Sequence, residues 1–273
     1  MVVTLWNVLL CMEKRIWKMH KLIKIIAVCL SAFILNSCAQ AMDKTLSPPS
    51  DTKWVNVEVK NPSRYTKPFP LEVTYISHKC LKNRTSGFDG SSVTEPSYNG
   101  TKIPLQQQGK SDVWIAKVAM RGGGSCDWTL SEFNLGIEYI DATHLGEDLA
   151  PGAAVGATIA FDNDASRNGQ FTFVKGDVRL TPKYYPYIRE WHLVRQKNEL
   201  TFLAKERFFS YRAEGATAIS YMPMIDESKV VRYIEPRKKT DDSHPTIIYP
   251  DGTVVSDGST FPDFDKVEGM KSK

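Results

Sequence analysis

The chain has 273 residues, 42% apolar and 24% charged, with a formal charge of +4, which is apolar enough to build a core and excludes a disordered or collagen-like chain. The positive excess sits at one end: residues 1–37 hold Lys14, Arg15, Lys18, Lys21 and Lys24 against Glu13, and residues 38–273 carry thirty basic and thirty acidic side chains. A neutral body lacks the clustered positive charge of a nucleic-acid binder, so no nucleic acid is expected as a partner.

The first element in chain order starts at Met19. His20, Lys21 and Lys24 precede the apolar run from Ile25 to Ile34, and Leu35-Asn36-Ser37-Cys38 closes it. Charge, short apolar run and small residue in that order mark a secretory signal over residues 1–37. The run is shorter than the roughly 20 apolar residues of a membrane-spanning helix. Leu35, Ser37 and Cys38 resemble the lipobox of bacterial lipoproteins. That resemblance implies cleavage before Cys38 and lipid attachment to it. With Ala39 rather than aspartate next, it also implies sorting to the outer membrane, with the body on the periplasmic face. An amphipathic helix with a stray cysteine is the competing reading. Met12 or Met19 is expected as the true start, because Trp6 and its apolar neighbours precede the charges; initiation at Met42 would give a cytosolic form.

Of the five cysteines, Cys11 and Cys29 leave with the signal and Cys38 takes lipid. Cys80 and Cys126 remain, and in an oxidising compartment a Cys80–Cys126 disulfide is expected, against the alternative of two buried thiols. Residues 38–52, with Ser47-Pro48-Pro49-Ser50, read as a lipidated tether, since proline favours extended chain.

From residue 53 the sequence is a succession of short runs rich in Val, Ile, Thr and aromatics, broken by Gly, Pro, Asn and Asp. Strands are predicted at 53–59, 71–79, 112–120, 127–140, 155–161, 170–180, 188–195, 199–205, 230–235 and 246–255. In the first, Asn56 and Glu58 lie opposite Val55, Val57 and Val59, the period of a half-buried sheet. Turns are predicted from Asn163-Asp164 to Asn168-Gly169, at Lys197-Asn198, and at Pro250-Asp251-Gly252-Thr253. The fold class is therefore all-β: an antiparallel β-sandwich of immunoglobulin-like proportions over 53–180, with a β-rich extension or second small unit over 181–273. The boundary candidate is Thr181-Pro182-Lys183-Tyr184-Tyr185-Pro186, where two prolines interrupt a strand pattern.

No catalytic set emerges, and an enzyme is not expected. Gly122-Gly123-Gly124-Ser125 invites a serine-nucleophile reading but lacks the Gly-x-Ser-x-Gly spacing, and a turn beside the disulfide accounts for it better. His78, His144, His192 and His244 show no metal-ligand spacing, so no metal or cofactor is expected. Asp162-Asn163-Asp164 opens like a calcium loop. Arg167 and Phe173 then stand where the glycine and the bidentate glutamate belong, and a polar hairpin tip is the preferred account. Aromatic residues gather at Tyr184-Tyr185-Pro186-Tyr187 to Trp191 and at Phe208-Phe209-Ser210-Tyr211. They fill a core if buried and make interface anchors if exposed.

The lipobox, the single cysteine pair and a β-rich body without an active site resemble the immunity lipoproteins that protect bacteria from type VI secretion phospholipase effectors. The resemblance covers the whole architecture without a diagnostic motif. It implies a toxic phospholipase as protein partner, blocked in the periplasm where the lipid holds the body. Side-chain chemistry, not the resemblance, puts the partner-binding residues at Tyr187, Trp191, His192, Asp241 and Asp242. A structural or assembly lipoprotein of the envelope or of a secretion machine is the second reading, and a hydrolase using Ser125 or a carboxylate the third. Replacing Cys38→Ser is expected to abolish incorporation of a clickable palmitate and to move the protein from the membrane to the soluble fraction. Unchanged labelling contradicts the lipobox reading.

Overall fold

The computed structural model describes residues 42–165, 171–194, 196–240 and 242–271; the signal segment, Cys38 and Asp241 lie outside the described residues. Strand accounts for 52% and helix for 5%, so the fold is all-β, in layered sheets of which none closes into a barrel. Among the described residues no helix is long and apolar enough to cross a membrane.

The strands run β1 (Trp54–Lys60), β2 (Thr66–Pro68), β3 (Leu71–Thr85), β4 (Ser92–Ile103), β5 (Gln106–Gln107), β6 (Val113–Ala119) and β7 (Arg121–Gly123). Then come β8 (Trp128–Tyr139), β9 (Ala150–Pro151), β10 (Val155–Ala160), β11 (Thr172–Lys175), β12 (Val178–Leu180), β13 (Lys183–Trp191) and β14 (Lys197–Leu203). The chain ends with β15 (Phe208–Glu214), β16 (Ala218–Tyr221), β17 (Met224–Ile225), β18 (Val231–Ile234), β19 (Thr246–Ile248), β20 (Val254–Val255) and the helix α1 (Phe264–Gly269). They form a five-stranded sheet β12-β16-β1-β6-β5, an eight-stranded sheet β11-β15-β10-β8-β3-β4 with β2 and β7 on β8, and a seven-stranded sheet β20-β19-β18-β13-β14-β9 with β17 on β13.

The sheets are mixed rather than wholly antiparallel. β1 runs antiparallel to β6 but parallel to β16, β10 antiparallel to β8 but parallel to β15, and β13 antiparallel to β14 but parallel to β18. Each parallel partner arrives tens of residues later, as a crossover requires; turn chemistry reports only the local hairpins. Strands beyond residue 180 are shared out: β15 and β16 enter the sheets of β10 and β1, while β13, β14 and β18–β20 build the third sheet.

Alternation places Val55, Val57 and Val59 of β1 in the core with Trp54, Asn56 and Lys60 outward. In β8 the extra residue Ser131 falls between Leu130, opposite Tyr75, and Glu132, opposite Thr74. This bulge resets the alternation, so that Leu130 is followed inward by Phe133, Leu135, Ile137 and Tyr139. Side-chain contacts join the sheets. The Tyr75 hydroxyl donates to the Ala119 carbonyl at 3.1 Å, the Tyr139 ring stacks on Phe202 at 4.3 Å, and the Tyr184 and Tyr221 hydroxyls meet at 2.6 Å. Burial pushes the Tyr184 phenol up to about 12.

β13 is covered on both faces. Pro186, which lacks an N–H, falls where its neighbour changes from β17 (Tyr184 beside Ile225) to β18 (Tyr187 beside Val231), so the missing donor costs no ladder bond there. Tyr185, Tyr187, Leu203, Val231, Tyr233 and Ile247 form one core cluster with Val267 of α1. Asp263 caps α1 by accepting from the Lys266 N–H at 3.1 Å. At its other end the buried Lys229 ammonium donates to the Val267 and Glu268 carbonyls at 3.1 and 3.2 Å, where a cation is favoured.

Residues 44–52 lie against the body instead of standing off as a tether. The Ser47 N–H donates to the Gly122 carbonyl at 2.7 Å, and the Asn99 amide donates to the Lys44 carbonyl at 2.7 Å. This explains the glycine run: Gly123 has φ +63°, and a Cβ there would stand 2.2 Å from the Ser47 oxygen. At the neighbouring corner β3 swells by three residues, 78–80, against β4. The Cys80–Cys126 disulfide, with Cα atoms 5.3 Å apart, ties that bulge to the turn before β8. Ser77 Oγ accepts from the Cys80 N–H at 2.8 Å and donates to the Cys126 carbonyl at 2.6 Å. Replacing both cysteines by alanine is expected to cost about 3 to 4 kcal/mol in urea unfolding; a loss under about 1 kcal/mol would contradict the clamp.

Candidate partner-binding cleft

β13 and β14 pair with Tyr185 opposite Leu203, Tyr187 opposite Thr201, Arg189 opposite Glu199 and Trp191 opposite Lys197. These residues share one face, and the cover of that face changes along it. Tyr187 is 3% exposed and belongs to the core cluster with Val267. It is therefore no surface anchor, a correction to the expectation from aromatic clustering, which does not reveal what lies above a strand. Trp191 and His192, beyond that cluster's centre, are only half-buried.

Trp191 and His192 line an open cleft of about 710 Å³ with Asp148, Lys197, Asn198 and Arg237. Arg189 stacks over the indole at 4.1 Å, a favourable cation–π geometry. The indole N–H donates to Glu199 Oε1 at 3.1 Å, so the ring is held on both its face and its edge. Glu199 also pairs with Lys197 at 3.0 Å and Arg189 at 3.8 Å. Glu235 accepts from the backbone N–H groups of His192 and Leu193 at 2.8 Å each, which secures the start of the hairpin turn. The Asn198 amide is bonded to Asp148. Lys197-Asn198, expected as a turn, lie in β14 instead. Asp242 is exposed but does not line the cleft, and Asp241 lies outside the described residues.

The cleft thus presents a fixed indole among side chains of both signs. Asp148 and Lys197 escaped sequence reasoning because they come from separate segments. For Lys197 the usable signal was its place two residues before Glu199, which stands opposite Arg189.

A second constellation lies at the β3 bulge. His78, Asp162 and Asp164 bring one imidazole and two carboxylates within 4.8 Å of one another. His78 Nε2 lies 3.5 Å from Asp162, and His78 Nδ1 lies 3.9 Å from Asp164. Such donors suit a divalent cation, and equally an ion pair that pins the 162–165 loop when His78 is protonated. A separation of 84 residues between His78 and Asp162 hid the grouping from spacing rules. His144 stacks on Tyr65 at 3.6 Å, and the Ser125 carbonyl accepts from Lys79 Nζ at 2.9 Å.

No known protein family, curated protein or solved structure matches the chain. The reading of the cleft therefore rests on its own residues.

Glu199 is buried, which by itself raises a carboxyl; hydrogen bonds from Lys197 and Trp191 and the charges of Lys197 and Arg189 outweigh this and hold it below its usual 4.5. A depressed folded value means stability that is present above 4.5 and lost as pH falls through the folded value. Glu199→Gln is expected to lower the melting temperature at pH 7 and to flatten its decline below pH 4.5. Parallel curves for the two proteins from pH 7 to about 3 would contradict the network.

Proposed function

We propose that this chain is a lipid-anchored binding protein of the periplasm that holds and neutralises a phospholipase delivered by type VI secretion. The observation that carries the reading is the open cleft at the end of β13 and β14, where Trp191 is braced by Arg189 and Glu199 among charged side chains. A pre-organised indole binds a partner without losing rotamer freedom. The lipobox resemblance at Cys38 supports placement on the outer membrane, where such a toxin acts, and the Cys80–Cys126 bond suits an oxidising compartment.

An assembly lipoprotein is the alternative, and one observation favours it. β11 pairs with β15 alone among the described residues, and its Phe173 is 79% exposed. A free edge of this kind can take a partner's strand.

The protein is purified from its own cells and co-purifying chains are identified by mass. The expected result is a phospholipase whose activity falls at a one-to-one ratio. Trp191→Ala is expected to weaken that complex by about 2 kcal/mol, roughly thirtyfold, and Arg237→Ala, on the rim, by less. Recovery of envelope or secretion components without a phospholipase would overturn the immunity reading in favour of the assembly one.

A further inference from the structure

A smaller cleft of about 200 Å³ opens farther along β14, away from the hairpin turn, with Tyr187, Arg189, Thr201, Lys205, Arg207 and Phe261 in its wall. Its lining residues include three cations and no carboxylate. Two acids outside the lining answer part of this charge: Asp265 meets Lys205 at 3.5 Å where both side chains are exposed, and Glu199 lies 3.8 Å from Arg189 but closer, at 3.0 Å, to Lys197. The positive charge of the wall is therefore incompletely answered.

Two lining residues carry buried polar atoms without a partner among the described residues, the Tyr187 hydroxyl and Arg189 Nε. Tyr187 is 3% exposed. A buried donor left unpaired is destabilising, and native structures rarely keep two such atoms on neighbouring residues of one strand without something to accept from them. Burial raises the Tyr187 phenol above its usual range, so it stays protonated and able to donate.

We propose that this cleft binds the phosphoryl group of a small organic phosphate, with Arg189, Lys205 and Arg207 answering its charge and the Tyr187 hydroxyl donating a hydrogen bond. The donors come from β13 and from the segment after β14, and three cations with a hydroxyl can answer the double charge and several oxygens of a phosphoryl group. Leu203 and Phe261 add an apolar wall for the organic part. The same chemistry is offered by a soluble phosphate ester and by a phospholipid headgroup. The inference does not depend on the phospholipase partner, and its test contains none.

The full chain is titrated calorimetrically with inorganic phosphate and glycerol 3-phosphate, and separately with phosphatidylglycerol vesicles, beside Tyr187→Phe and Arg207→Gln. All three proteins share the same N-terminus, so any contribution of a lipid anchor to vesicle binding cancels. Each variant is expected to bind about tenfold more weakly, while Tyr187→Phe, having lost only an unpaired hydroxyl, melts no lower than the parent without ligand. Soluble ester bound with this loss identifies a soluble phosphate; vesicles alone bound with this loss identify a headgroup. No binding in either arm, or equal binding by the parent and Tyr187→Phe, overturns the site.

Discussion

The hydroxyls of Tyr184 and Tyr221 meet at 2.6 Å between β13 and β16, while the next side chain along, Tyr185, turns the other way and packs on Phe264 of α1 at 5.5 Å. A strand with aromatic rings on both faces must be covered on both, and the rest of the fold supplies that cover. One face meets β16 and, through Phe202 and Tyr139, β8; the other shares its core side chains with β18 and β19 of the same sheet and packs against α1. Each buried phenol needs an oxygen or nitrogen partner, since an unpaired one loses its hydration for nothing. Tyr184 finds Tyr221, and Tyr185 finds Glu268. Tyr187 finds none among the described residues.

The mixed-charge cleft follows from where that cover runs out. Beyond the core cluster the shared face of β13 and β14 turns polar, and Arg189 sits at the change. Its guanidinium lies over Trp191, within reach of Glu199, and beside the wall that Tyr187 shares with Lys205 and Arg207. One arginine thus lines the cationic cleft and braces the indole that lines the mixed-charge one. β13 supplies a rigid floor to each, and rigidity reduces the entropy lost when a partner or ligand binds.

Much of this fold was legible in local pattern. The alternation in Trp54–Lys60 marked a one-sided strand, and Asp251-Gly252 marked the β19–β20 turn, where Gly252 adopts φ +89°. The surviving cysteine pair marked the disulfide. β4 was not legible, because Pro96 and Gly100 argue against a strand; it survives as an edge, pairing with β3 alone among the described residues. Parallel pairings such as β1 with β16 leave no local trace. For the cleft, Trp191 and His192 could be read from aromatic clustering, but the burial of Tyr187 depends on α1, some eighty residues on. Nor does any spacing rule bring His78 to Asp162 or Arg237 to Asp148.

If β13 is the shared strand of the structure, the sandwich and the C-terminal sheet must open together. Hydrogen exchange of the full chain in increasing urea measures this directly, by comparing amides of β8 and β16 with those of β13. Opening free energies that agree within about 1 kcal/mol, with the same steep urea dependence, are the expected result. Amides of β13 opening at least about 3 kcal/mol more easily, with a shallow urea dependence, would show the C-terminal sheet to be a separate unit and contradict the account.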